Sequence, residues 1–175
     1  MQYFNTLPKI AYDLEGKNEF NLITDIFRFF KVRDGIIDEA VLLDKYEVKD
    51  GETPEMVSYR FYDSVYYHWV VMSVNKIKSR YYDWPMSQMQ FGKYLKDKYE
   101  NPGAIHHYEI DQLSGPKASL DNSHVIEVNA DYPNAYPVSN REYEERLQTN
   151  KRLIKILNPE YLEDFVQEYQ RIITR

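Results

Sequence analysis

Asp44-Lys45-Tyr46-Glu47-Val48-Lys49-Asp50-Gly51-Glu52-Thr53-Pro54-Glu55-Met56-Val57-Ser58-Tyr59-Arg60-Phe61-Tyr62-Asp63-Ser64-Val65-Tyr66-Tyr67-His68-Trp69-Val70-Val71-Met72-Ser73-Val74-Asn75-Lys76-Ile77 is the stretch around which the chain is organised. Tyr46 and Val48 alternate with charged residues as in a half-buried strand, and Lys49-Asp50-Gly51-Glu52 reads as a turn. A helix must start directly after it. Thr53 is a capping residue, Pro54 suits a first helical position whose N–H would be unpaired anyway, and Glu55 sits where the helix dipole favours negative charge. Val57 and Phe61 then share one face. Tyr62-Asp63-Ser64 interrupts before a second helix in which Tyr66, Trp69, Val70 and Val74 recur at helical spacing. Val48, Val57, Phe61, Trp69, Val70 and Val74 form the expected core.

Strand, capped helix, tight corner, Trp-bearing helix, then Asn75-x-Ile77: in this order the pieces resemble the LysM module. They are Tyr46-x-Val48, Gly51-Glu52-Thr53, Ser58 with Arg60-Phe61-Tyr62, Trp69-Val70-Val71-Met72 and Asn75-x-Ile77. An ordinary helical hairpin of a mixed domain is the plainer reading of the same pattern. The resemblance implies a βααβ unit, with Lys78 to Met86 in the place of its second strand.

Composition narrows the function classes. A length of 175 residues fits one domain or two small ones, and a net charge of −6 lacks the basic footprint of a nucleic-acid binder. With no cysteine, disulfides, thiolate metal sites and cysteine nucleophiles are all absent. The first residues have no basic segment before an apolar run, and nowhere do eighteen apolar residues follow one another, so neither a classical signal nor a membrane span is expected. The 17 tyrosines suit either a protein-contact surface or a core padded with amphipathic rings.

Outward from the central stretch, residues 1–43 read as an arm: Gln2-Tyr3-Phe4 as a short strand, Asp13 to Asn18 as a loop, and Thr24 capping a short helix-like run. That run carries Ile26, Phe27, Phe29 and Phe30, which need cover from the rest of the chain or from a partner. The central module with its following helix spans 44–100; Ser87 and Gln90 make a capping box for a helix to about Tyr99. Ile105 to Ile110 and Val125 to Val128 suggest a β-hairpin with a long loop through Gly115-Pro116, and Asp131 to Pro137 a turn-rich linker, giving a segment 101–138. In 139–175, Ser139 and Glu142 open a helix, Lys151 to Leu157 alternate into a strand, and Asn158-Pro159 start a last helix with Tyr161, Phe165 and Tyr169 on one side. The fold class expected is α+β.

Taken over the whole chain, Thr24-Asp25-Ile26-Phe27-Arg28, Pro54-Glu55 through Tyr62, Trp69 to Asn75, Tyr81-Tyr82-x-Trp84 with Ser87-Gln88, Ser139-Asn140-Arg141-Glu142-Tyr143-Glu144 and Lys151-Arg152-x-Ile154-Lys155-Ile156-Leu157 resemble the baseplate wedge protein 53 family of contractile-tailed, T-even-type bacteriophages. The resemblance implies a structural, non-catalytic virion subunit, assembled in the host bacterial cytoplasm and present in six copies per baseplate. It would clamp neighbouring wedges together, touching other wedge proteins including the sheath-proximal lysozyme-like one, and would be a monomer in isolation. Ile26, Phe27, Phe29, Phe30, Tyr161, Phe165 and Tyr169 are the expected partner-binding residues, with no nucleic acid, membrane or cofactor involved.

Site chemistry gives no competing reading. His106 and His107 are adjacent on an expected strand and so should face opposite ways, and no His-x-x-x-His spacing occurs among His68, His106, His107 and His124. Asp63, Glu109 and Glu127 lie near no nucleophile motif or phosphate loop and read as solvated or paired charge. The alternative function is LysM-type binding of peptidoglycan or chitin. Against it, Asp63-Ser64 stands at the corner where the module usually has a glycine beside the sugar, and the module's usual ending is missing around Tyr82 to Met86.

Overall fold

The computed structural model describes residues 3–28, 30–32, 42–111 and 125–174. Phe29, His124, Gly35, the run 36–41 and Gly115-Pro116 lie outside them. In chain order the elements are β1 (Lys9–Asp13), β2 (Phe20–Thr24), β3 (Leu43–Glu47), α1 (Pro54–Tyr62), α2 (His68–Val74), α3 (Gln88–Lys98), β4 (Ile105–Asp111), β5 (Val125–Val128), β6 (Tyr136–Ser139), α4 (Asn140–Arg152), β7 (Leu153–Leu157) and α5 (Leu162–Ile173). The architecture is α+β. Two compact units divide it, one of Met1–Trp84 with Arg152–Arg175 and one of Pro85–Lys151. Among the described residues no helix is long and apolar enough to cross a membrane.

In the first unit, Gly51 turns the chain with φ +71°, and the Thr53 hydroxyl accepts the Met56 N–H to open α1. Asp63 ends α1 in the left-handed region, φ +51°, with its N–H on the Tyr59 carbonyl. A short aspartate side chain tolerates that conformation. The Ser64 hydroxyl then caps a 3-10 turn, Val65–Tyr67, that leads into α2. The strand, turn and two helices of the central stretch form in the expected order, with Tyr66 in the 3-10 turn rather than in the second helix.

Its expected second strand does not form. The Asp83 carboxylate accepts the N–H groups of Lys78 and Ser79 at 2.9 Å, winding the segment into a turn, and the Trp84 indole N–H donates to the Glu52 carbonyl at 2.8 Å. β3 pairs instead with β7, antiparallel from Leu43↔Leu157 to Glu47↔Leu153. Leu153-Ile154-Lys155-Ile156-Leu157 suits a half-buried strand, whereas a turn-forming Asp83 and a Pro85 without N–H do not.

Bonds from Val48 N to the Arg152 carbonyl and from Asn158 N to that of Leu42 fix the ladder's phase, so the main chains of Lys155 and Leu157 point away from β3. Side chains satisfy that outer edge. The Asn75 carboxamide accepts the Lys155 N–H and donates to the Lys155 carbonyl, both at 2.7 Å, as a neighbouring strand would; Tyr62 donates its hydroxyl to the Leu157 carbonyl at 3.0 Å. Asn75→Ala orphans a donor and an acceptor together, and should cost about 2–4 kcal/mol in a denaturant titration.

The face of α5 expected to lie open is instead the cover of this core. Tyr169 and Ile173 are buried, and Tyr161, Leu162, Phe165 and Val166 pack against the same cluster as Val48, Val57, Trp69, Val70 and Val74. Phe61 is half-buried, its ring edge-on to Tyr46 at 5.1 Å. The N-terminal segment also departs from expectation. Tyr3–Thr6 is a 3-10 turn rather than a strand, β1 and β2 form an antiparallel hairpin, and among the described residues no helix follows Thr24, which ends β2. Asp25 caps a turn there through the Phe27 N–H.

The second unit is a three-stranded antiparallel sheet in the order β5-β4-β6 with α3 and α4. Ser87 and Gln90 form a reciprocal capping box on α3, and Glu142 accepts from both the N–H and the hydroxyl of Ser139 at the start of α4. Strand β6 arises from the expected linker. It lies at a sheet edge, where Pro137 costs no ladder bond.

Candidate interaction surfaces

Trp69 gathers the first unit from both ends of the chain. Its ring centroid lies 4.5 Å from that of Tyr169, 5.6 Å from Tyr3, 5.9 Å from Phe30 and 6.1 Å from Phe165. Thr6 donates its hydroxyl to that of Tyr169 at 3.0 Å, and Arg28 donates to the Ile173 carbonyl at the end of α5 at 2.8 Å. Burial pushes the Tyr169 phenol up to about 12. Of the seven residues expected at a partner surface, Tyr169 is therefore 1% exposed inside the chain, and Phe30, Tyr161 and Phe165 are half-buried against its core. Ile26 and Phe27 alone among the described six stand in solvent, 64% and 87% exposed.

They continue a larger exposed apolar surface that sequence reasoning assigned to an irregular arm. Ile10, Tyr12, Leu14, Phe20, Leu22 and Ile23 of the β1–β2 hairpin are exposed too. Alternation in Lys9-Ile10-Ala11-Tyr12-Asp13 was the available signal. The hairpin turn is held from within: the Asp13 carboxylate accepts the N–H groups of Glu15, Gly16, Lys17 and Asn18, and Gly16 and Asn18 adopt positive φ.

The second unit concentrates its charge on two buried carboxylates. Glu109 receives two bonds from Arg146, at 2.6 and 2.8 Å, and one contact from His107 at 2.8 Å. Glu144 takes Lys98 at 2.6 Å, Tyr99 at 2.8 Å and Tyr94 at 3.4 Å. Burial alone would raise both acids, but Arg146 with His107, and Lys98 with Tyr99, hold them below the ordinary glutamate value of 4.5. The stability they contribute is complete above about 4.5 and is lost as pH falls toward their lower folded values. Acid unfolding of this unit, followed by hydrogen exchange, should begin below that value, and Glu109→Gln with Glu144→Gln should flatten the dependence while lowering stability at neutral pH.

His106 and His107 do not face apart. A register irregularity between Ile105 and His107 places two residues against one on β6, so the ring Nδ1 atoms meet at 2.8 Å, with His106 stacked on Tyr143. Among the described residues no group of three or more potential ligands could hold a metal ion.

A chain that keeps this many large apolar side chains in water on a self-held hairpin has the surface of an assembly subunit. The sequence model of a family described as base plate wedge protein 53 matches residues 3–117, well over half of the chain, and the chain belongs to that family. It is thus a structural component of a phage tail baseplate that works among other baseplate proteins. The match includes the hairpin and the central stretch, while the tail motifs from Ser139 and Lys151 onward lie beyond it. No curated protein matches the chain.

Proposed function

We propose that this chain clamps neighbouring wedges of the baseplate together through protein contacts, without catalysis. It enters as a monomer in the bacterial cytoplasm, and six copies serve one baseplate; adjacent wedges and the sheath-proximal lysozyme-like wedge protein are the partners. The observation that carries this reading is the exposure of Ile26 and Phe27 beside the hairpin in a member of a baseplate family. The Arg28 side chain donates to the Ile173 carbonyl at the end of α5, so Ile26 and Phe27 are presented beside a fixed residue rather than from a loose tail.

The test is complementation of phage lacking this gene. Ile26→Asp with Phe27→Asp should leave a folded monomer by circular dichroism and sedimentation, yet separate wedges should accumulate in place of closed six-wedge rings. Normal ring yield would overturn the clamp. Removing residues 1–30 would be a poorer test, because Leu7 is buried in the core and Tyr3 and Phe30 pack on it. Sugar binding loses support from the corner at Asp63, where a charged side chain occupies the left-handed position. Saturable binding of peptidoglycan fragments that disappears on altering Asp63 would restore it.

A further inference from the structure

The two short ladders of the first unit end differently. On β7 Asn75 takes both the outward N–H and the outward carbonyl of Lys155, and Tyr62 takes the outward carbonyl of Leu157. On the hairpin no such side chain is present among the described residues. Asp25 N–H donates to the Pro8 carbonyl at 2.8 Å, and with the register Lys9↔Thr24 this makes Ile10–Ile23 and Tyr12–Asn21 the hydrogen-bonded pairs. The main chains of Phe20, Leu22 and Thr24 therefore point away from β1; of these groups, the Thr24 carbonyl meets the Ile26 N–H at 3.0 Å.

The two edges also differ in protection. β1 follows Pro8 and carries Lys9 and Asp13, charges of the kind that discourage pairing. Phe20-Asn21-Leu22-Ile23-Thr24 has neither charge nor proline. Both hairpin faces carry apolar side chains, Ile10, Ile23 and Tyr12 on one and Ala11, Leu22 and Phe20 between Lys9 and Asp13 on the other. Yet the faces are small. Five-residue strands are about 17 Å long, so each face offers on the order of 200 Å², well short of the roughly 800 Å² per partner that a stable interface needs. Face-to-face pairing with a second copy would be too weak, and an occupant must gain from backbone bonds as well.

The geometry points to strand addition: β2 is the acceptor edge for an uncharged, extended segment of a different baseplate subunit, whose alternate side chains lie along the two apolar faces. This rests on the clamp reading and names the mode of one of its contacts. Such an added strand makes its affinity from main-chain bonds and its specificity from alternate side chains.

Leu22→Pro is the discriminating substitution. It deletes an outward N–H and leaves the bonds to β1 intact, as proline is tolerated on an edge strand. Leu22→Ala removes the side chain but keeps the N–H. With the full-length chain added to the separate wedges that phage lacking the gene accumulate, Leu22→Pro should weaken incorporation into baseplates roughly tenfold or more, the effect of one lost buried bond, and clearly more than Leu22→Ala. Hydrogen exchange should show the Phe20, Leu22 and Thr24 amides fast in the free chain and slow in baseplates, with Asn21 and Ile23 protected in both. Equal effects of the two substitutions, or amides that stay fast in baseplates, would overturn strand addition while leaving the clamp standing. Concentration-dependent dimers that protect the same amides would make a second copy the occupant and also overturn it. Failure of the unaltered chain to enter baseplates would instead overturn the clamp reading itself.

Discussion

Deleting residues 153–175 should abolish cooperative unfolding of the unit that contains Asp44 to Ile77, although the whole of that stretch remains in the chain. The deletion removes the partner of β3 and, with it, Ile154, Ile156 and Leu157, all buried, together with Tyr169 and Ile173 from α5. At about 1.5–3 kcal/mol for each buried side chain, the loss is on the order of 10 kcal/mol, as large as the whole stability of an ordinary domain. Asn75 and Tyr62 would also lose the main-chain groups they satisfy. Circular dichroism on a 1–152 chain is the measurement; a sharp melt close to that of the full chain would show that the tail strand and helix are accessories. The same logic applies to a fragment ending at residue 117, which the family match alone would encourage one to make.

Local chemistry was legible in the sequence wherever one or two neighbouring residues decide the backbone. Thr53-Pro54 before α1, the Ser87/Gln90 box on α3 and Ser139/Glu142 on α4 each act within one turn of a helix, so position and partner can be read together. The strand at Leu153 to Leu157 was legible as a strand and not as the mate of β3, because some 100 intervening residues separate pairs such as Tyr46 and Ile154. Apolar faces misled for the same reason. Phe30, Phe165 and Tyr169 have no cover nearby in sequence, and they cover one another only after the two ends of the chain meet on Trp69. The hairpin was missed because Gly16 and the polar run around it mark a loop, while the five-residue strands on either side are too short for alternation to stand out against it. At His106 and His107 the period-2 rule failed at a bulge, which sequence spacing does not announce.

Trp69→Ala should be the most damaging single substitution, costing about 3–5 kcal/mol in a denaturant titration. Among the described residues the indole is the one ring in contact with Tyr3, Phe30, Phe165 and Tyr169 together, so its removal leaves a cavity shared by the N-terminal segment, α2 and α5. None of these elements can close that space without giving up contacts to another. Replacement by phenylalanine separates packing from polarity. The Trp69 indole N–H is buried with no hydrogen-bond partner among the described residues, and such a donor costs about 1–3 kcal/mol of desolvation. Trp69→Phe loses volume but also removes that penalty, and should cost less than half as much as Trp69→Ala. If alanine costs under about 1 kcal/mol, below the range for emptying a packed aromatic site, Trp69 is not the joint between the chain's two ends. Phenylalanine as damaging as alanine would mean instead that the indole N–H has a partner and holds the joint by a hydrogen bond rather than by its ring.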